Sequence, residues 1–66
     1  MYLTIKDLRL SEHFSQKELA NKIHISRSYL SKLERNIPAT VKGVRLGTIE
    51  ELAKALNVSV NSIIKD

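Results

Sequence analysis

The side chains with the clearest chemical potential lie on one face of a predicted helix in the middle of the chain. At about 100° per residue, an arc of about 140° holds five polar residues, which are Arg27, Ser28, Ser31, Lys32 and Arg35. Leu30 and Leu33 lie outside this arc, toward a core. Guanidinium and ammonium groups bind guanine O6 and N7, and hydroxyl groups donate to or accept from base edges. The arc therefore predicts a surface that contacts the major groove of DNA.

The distribution of charge also favours an anionic partner. The 66 residues have a formal net charge of +4. Residues 13–46 alone have a net charge of +5, whereas residues 1–12 are neutral and residues 47–66 have a net charge of −1. A solvated surface with scattered lysines could have the same charge, so the charge supports nucleic-acid binding only together with a motif.

Several function classes find no support in the residues. The chain has no cysteine, and His13 and His24 are too far apart in sequence to suggest a metal site. No apolar run approaches the ~20 residues that span a bilayer, and no glycine-rich phosphate loop or nucleophile with a recognisable base is present. We therefore expect no enzymatic activity, no metal, no cofactor, no small-molecule ligand and no membrane partner, and we expect a cytoplasmic location.

Apolar spacing and helix-start signals predict five short helices and no strand, which is an all-α fold. The first helix begins after Thr4. Ser15 and Glu18 have the spacing of a capping box and open the second helix, which runs to about Ile23. Ser26 caps the third helix, which covers Arg27 to about Arg35 and is stopped by the segment 36–38.

The second half of the chain is predicted less sharply. Residues 36–47 contain Pro38 and two glycines, which favour a long basic loop. Thr48 and Glu51 have the spacing of a second capping box, which predicts the start of the fourth helix, and Asn57 is its predicted stop. Ser59 caps the fifth helix. The apolar residues of this fifth helix are Val60, Ile63 and Ile64. They could form a two-fold dimer interface or pack in the core.

Residues 16–33 resemble the helix-turn-helix motif of the Cro/C1-type (XRE) family throughout. Ala20 occupies the position where that family has a small residue so that two helices can cross closely. The family's shared apolar positions are occupied by Leu19, Ile23, Ile25, Leu30 and Leu33. Residues 28–31 followed by 34–36 are similar to the SinR-like branch of Gram-positive regulators. The resemblance implies one compact five-helix, lambda repressor-like domain over residues 1–66, with the motif at about 16–35 formed by helices 2 and 3.

The resemblance also implies roles for individual residues. By resemblance, the residues expected to contact bases are Arg27, Ser28 and Lys32. The residues expected to contact phosphates are Gln16, Ser26, Ser31, Arg35, Asn36, Lys42 and Arg45. Arg9 and Glu34 are expected to form a structural ion pair. The chain departs from the family at His24, where glycine is common in the turn, and at the longer segment 36–47.

The function implied is that of a sequence-specific double-stranded DNA-binding regulator, bacterial or phage in origin. The resemblance implies that it acts as a repressor, which inserts its third helix into the major groove of an operator. Because one small domain contacts a half-site, we expect a symmetric homodimer on an inverted repeat. The alternative is a module that binds another protein, and its exposed arc on the third helix would favour apolar residues. The residues also allow this chain to be the DNA-binding domain of a larger regulator.

Overall fold

The computed structural model describes residues 1–66 and contains six helices and one pair of short strands. In chain order the elements are β1 (Tyr2–Leu3), α1 (Ile5–Ser11), α2 (Gln16–Lys22), α3 (Arg27–Glu34), α4 (Pro38–Lys42), α5 (Leu46–Leu56), α6 (Val60–Ile63) and β2 (Ile64–Lys65). The predominantly helical architecture and the helix-turn-helix formed by α2 and α3 confirm the sequence prediction. None of the six helices combines the length and the apolar character that a membrane-spanning helix requires.

The prediction that the chain has no strand was wrong at its two ends. Strands β1 and β2 pair in antiparallel register, with Tyr2 opposite Lys65 and Leu3 opposite Ile64. Two residues per strand are too few to produce an alternating pattern, so periodicity could not reveal them. The pairing places the two ends of the described chain side by side.

The prediction of a loop over residues 36–47 was also wrong in part. This segment contains α4, which is the additional helix that raises the count from the predicted five to six. Pro38 occupies the first turn of α4, where a missing N–H costs no hydrogen bond and the fixed φ suits the helix. Val41 is buried, so this one-and-a-half-turn helix is fixed by tertiary packing rather than by propensity.

Helix α5 begins three residues earlier than the capping-box spacing predicts. Its N-cap is Arg45, whose carbonyl oxygen accepts from the Thr48 and Ile49 N–H groups at 3.0 and 3.2 Å. Thr48 lies inside the helix, so the predicted capping box with Glu51 does not form. The predicted stop at Asn57 is confirmed, since Asn57 has a left-handed φ of 58° directly after Leu56.

Four helices end in the same way without using glycine. The residues at the left-handed positions are His13, His24, Asn36 and Asn57, with φ between 55° and 61°. In each case the N–H of the next residue donates to the carbonyl five residues earlier, as Ile25 does to Ala20 at 3.0 Å. That next residue is apolar in all four turns, which is the pattern of a Schellman ending. The helices can therefore be short and still end with satisfied carbonyl groups.

The core consists of 13 buried apolar side chains contributed by β1, by α1 to α6 and by Ile23 at the C-cap of α2. The largest fully buried ones are Ile5, Leu19, Leu30, Leu33, Ile49, Leu52, Leu56 and Ile63. The burial of Ile63 excludes it from the predicted dimer interface, because its side chain has no exposed surface with which to meet a partner. Val60 and Ile64 are half-buried and pack against the same core. Of the two interpretations of these residues, core packing is the correct one for Ile63.

We predict that His24→Gly raises the free energy of unfolding by ~0.5–1 kcal/mol, because glycine adopts the left-handed conformation without the steric cost of a Cβ atom. His24→Ala removes the same imidazole and keeps the Cβ, so it should not be stabilised. Urea unfolding of the three proteins measures both effects. Equal stability of the glycine and alanine variants would contradict this account of the turn.

Candidate nucleic-acid interface

Side-chain caps fix the first turns of α2 and α3. Ser15 forms the predicted capping box: its N–H donates to Glu18 Oε1 at 2.8 Å, and the Glu18 N–H donates to Ser15 Oγ at 3.0 Å. Donation from the Ser15 backbone N–H, which is the larger cause, and hydrogen bonding from the Ser15 side chain hold the pKa of the Glu18 carboxyl below its ordinary value. Ser26 caps α3 by accepting from the Tyr29 N–H at 3.0 Å. Both helices thus begin where the sequence predicts.

The crossing of α2 and α3 depends on small and fully buried side chains. Ala20 is 1% exposed, and Leu19, Leu30 and Leu33 are wholly buried beside it. The left-handed residue His24 turns the chain between the two helices. As a result, α3 presents its remaining face outward.

That outward face of α3 is polar and positively charged. Arg27, Ser28, Lys32 and Arg35 are exposed, and Ser31 is half-buried. Tyr29, which the helical wheel places away from the arc, packs against the core. The structure therefore brings the three predicted base-contact residues and two of the predicted phosphate-contact residues onto one surface, which we call the α3 face.

The only acidic residue of α3, Glu34, is turned away from the α3 face into a buried network. Its carboxylate accepts from Arg9 Nε at 2.5 Å and from Arg9 Nη2 at 3.1 Å, which joins α1 to α3. Arg9 Nη1 also donates to the Phe14 carbonyl at 2.8 Å. Because this carboxylate is paired and buried, it opposes an approaching phosphate less than a free one would.

Gln16 connects the buried network to the α3 face. Its Nε2 donates to Glu34 Oε1 at 3.0 Å, and its Oε1 accepts from Arg27 Nε at 3.5 Å. The sequence assigned Gln16 to phosphate alone and gave no indication of this second role. A glutamine at the first position of α2 and an arginine at the first position of α3 are the only signal that could have suggested it.

The remaining predicted contact residues lie at helix ends. Ser26 is exposed, and its hydroxyl oxygen serves as the α3 cap. Lys42 is exposed in the last turn of α4, and Arg45 is exposed at the N-cap of α5. The sequence could not position either residue, because α4 was not predicted.

The side chain of Asn36, which is predicted to contact phosphate, forms hydrogen bonds within the protein. Its side-chain amide accepts from the Leu3 N–H at 2.6 Å and donates to the Leu3 carbonyl at 3.1 Å. A further contact from its Nδ2 to the Glu34 carbonyl is 3.5 Å long. The amide oxygen and one amide hydrogen are therefore engaged by the backbone of Leu3, so the side chain lies against β1.

The described residues do not form a metal centre. No group of three His, Cys, Asp or Glu side chains is close enough to hold an ion. His13 and His24 are both exposed in turns between helices.

Comparison with protein families and curated proteins gives consistent matches. The helix-turn-helix model HTH_3 matches residues 5–63. The HTH-type transcriptional regulators SinR of Bacillus licheniformis and of Bacillus subtilis strain 168 are each 32% identical over 62 residues, which is 94% of this chain and 53% of those proteins. The immunity repressor protein of Bacillus phage phi105 is 37% identical over 60 residues, which is 91% of this chain and 39% of that protein. The chain thus spans about half the length of the SinR relatives.

Solved structures also match this fold. The N-terminal DNA-binding domain of SinR from Bacillus subtilis superposes with a TM-score of 0.79 at 32% identity, covering 94% of this chain and 86% of that one. A crystal structure of SinR, described as the master regulator for biofilm formation, in complex with DNA has a TM-score of 0.76 at 34% identity, covering 88% and 87%. A hypothetical transcription factor from Neisseria, NHTF, has a TM-score of 0.75 at 31% identity, covering 88% of this chain and 61% of that one.

We predict that Glu34→Gln lowers the free energy of unfolding by ~3 kcal/mol or more, because it leaves the Arg9 guanidinium buried without its counter-charge. Glu50→Gln, which neutralises an exposed carboxylate on α5, is the matched control and should change stability little. Replacing both members of the pair with apolar residues, Arg9→Met with Glu34→Leu, should recover most of the loss. Denaturant unfolding tests all three, and a Glu34→Gln variant as stable as Glu50→Gln would contradict the assignment.

Proposed function

Because the chain belongs to the helix-turn-helix family, we propose that it is a sequence-specific double-stranded DNA-binding regulator that acts as a repressor. In this proposal residues 1–66 form one DNA-binding domain, and α3 inserts into the major groove of an operator. The SinR and phage repressor relatives, and the SinR structure with DNA, support this function by similarity.

The observation that carries the proposal is the composition of the α3 face. It exposes three cationic side chains, Arg27, Lys32 and Arg35, while the single carboxylate of the helix is buried against Arg9. Such a face suits phosphates and the acceptor-rich edges of guanine. A surface made to bind another protein would instead expose apolar or aromatic anchors, which the α3 face does not have.

Within this proposal the exposed residues divide into two groups. Arg27, Ser28 and Lys32 contact base edges, which determines sequence preference. The backbone phosphates on either side are contacted by Gln16, Ser26, Ser31, Arg35, Lys42 and Arg45, which contribute affinity with little sequence information. Gln16 additionally holds the Arg27 side chain in place through the hydrogen bond described above.

We further propose that two copies bind as a homodimer. One domain of this size contacts a single half-site, and two copies reading the same face of a duplex bind half-sites about 34 Å apart. The operator would therefore be an inverted repeat. With Ile63 buried in the core, the contact between the copies has to use other residues.

Selection from random duplexes is expected to enrich an inverted repeat with the wild-type protein. Arg27→Ala should lose about 1–3 kcal/mol of affinity and relax the preference at one position of each half-site. Arg27→Lys keeps the charge and loses the bidentate fork, so it should relax the same position with less loss of affinity. If neither variant changes the selected sequence, Arg27 does not read a base. If the wild type shows no salt-dependent binding to any duplex, the proposed function fails.

The phosphate contacts predict a different signature for Lys42→Ala. Binding should weaken by a similar factor on selected and scrambled duplexes, and the slope of log K against log salt should fall by ~1. Lys54→Ala removes the same charge from an exposed position in the last turn of α5 and serves as the control. Equal effects of the two variants would show that only net charge matters and that Lys42 makes no phosphate contact.

A further inference from the structure

Asn36 joins the end of α3 to the beginning of the chain. Its amide oxygen accepts from the Leu3 N–H at 2.6 Å, and its amide nitrogen donates to the Leu3 carbonyl at 3.1 Å. Both backbone groups of Leu3 are thereby satisfied on the side of β1 that faces α3. The side chain does for this edge of β1 what a neighbouring strand would otherwise do.

The other edge of β1 is held by the end of the chain. Strand β1 pairs with β2, and the adjoining Thr4 N–H donates to the Ile63 carbonyl at 3.0 Å. Thr4 Oγ1 donates to the Ser62 carbonyl at 2.6 Å. Leu3 is 3% exposed, so its side chain also anchors β1 in the core. The two terminal segments and the end of α3 are therefore one connected unit.

The left-handed turn alone does not account for the asparagine amide. The same backbone conformation is adopted by His13, His24 and Asn57, whose side chains are exposed. Asn36 is half-buried because its amide lies against β1. At this one helix ending the side chain has a partner far away in sequence, which the turn geometry does not demand.

We infer that Asn36 is a positioning residue for DNA recognition, which clamps the C-terminal end of α3 against the paired terminal strands. Resting on the proposed function, this assigns to Asn36 the orientation of Lys32, the proposed base-contact residue in the last turn of α3. In this role it acts without touching DNA, since its amide is engaged on both sides by the backbone of Leu3. This role replaces the phosphate contact that the sequence predicts.

The test compares Asn36→Gly with Asn57→Gly. Both substitutions put glycine at a left-handed helix ending, so the backbone conformation is kept in each, and only the first removes the clamp. Amide hydrogen exchange of the DNA-free proteins is the first measurement. At the end of α3, exchange of the Arg35 and Ile37 amides should be about threefold or more faster in Asn36→Gly and unchanged in Asn57→Gly.

DNA binding is the second measurement, made on the selected duplex and on a scrambled one. Asn36→Gly should weaken binding to the selected duplex by about threefold to tenfold and leave binding to the scrambled duplex nearly unchanged. Asn57→Gly should change neither. A role in stability alone would leave both affinities unchanged once the folded fraction is matched, because it does not alter the α3 face of the folded protein.

Each contrary result overturns a different statement. Unchanged amide exchange in Asn36→Gly would show that there is no clamp, whatever the DNA result. Equal weakening on both duplexes would return Asn36 to a phosphate contact and overturn the positioning role. A wild-type protein that binds neither duplex would overturn the proposed function and with it the positioning of DNA contacts, whereas the exchange measurement would still decide whether Asn36 clamps α3.

Discussion

The buried carboxylate of Glu34 imposes the constraint on which the arrangement of the first three helices depends. A buried charge has to be paired and hydrogen-bonded, because desolvation is otherwise too costly. Glu34 meets this requirement with Arg9 from α1 and Gln16 from the first turn of α2. No buried side-chain polar atom of the protein lacks a hydrogen-bond partner. Three helices must therefore keep one relative orientation for the charge to remain buried.

The same constraint determines the electrostatics of the α3 face. An apolar pair could fill the space between α1 and α3, so burial area alone does not explain why ions are used there. The ion pair has directional partners, however, and one of them, Gln16, also bonds to Arg27 on the surface. A single network thus removes a negative charge from the outward face of α3 and holds an arginine on that face. The structural roles of these residues and their proposed roles in recognition are physically linked.

The sequence predicts the elements whose signals are local and fails where the determinants are distant. Ser15, Ser26 and Asn57 act on amides or carbonyls within a few residues, and the structure has caps or stops at all three. Helix α4 is held by the burial of Val41, and the strands are held by pairing between opposite ends of the chain. Neither interaction has a periodic signature in the sequence. Helix α5 starts three residues before its predicted start, and Arg45 makes no side-chain cap that the sequence could have indicated.

The interface shows the same division between local and distant determinants. Helical periodicity predicted that the residues of the α3 face lie on one surface. These residues belong to one short helix, and the start of that helix could be predicted from its Ser26 cap. The contact of the Asn36 side chain with Leu3 could not be predicted, because the two residues are 33 positions apart. The sequence around Asn36 does indicate the turn, since His or Asn followed by a large apolar residue occurs at all four left-handed helix endings.

The residues that follow His13, His24 and Asn57 pack against the core, so each of these short helices is ended by a local turn and fixed by a distant contact. In a chain of 66 residues, in which nearly every element is shorter than a stable isolated helix, those turns and contacts have to act together.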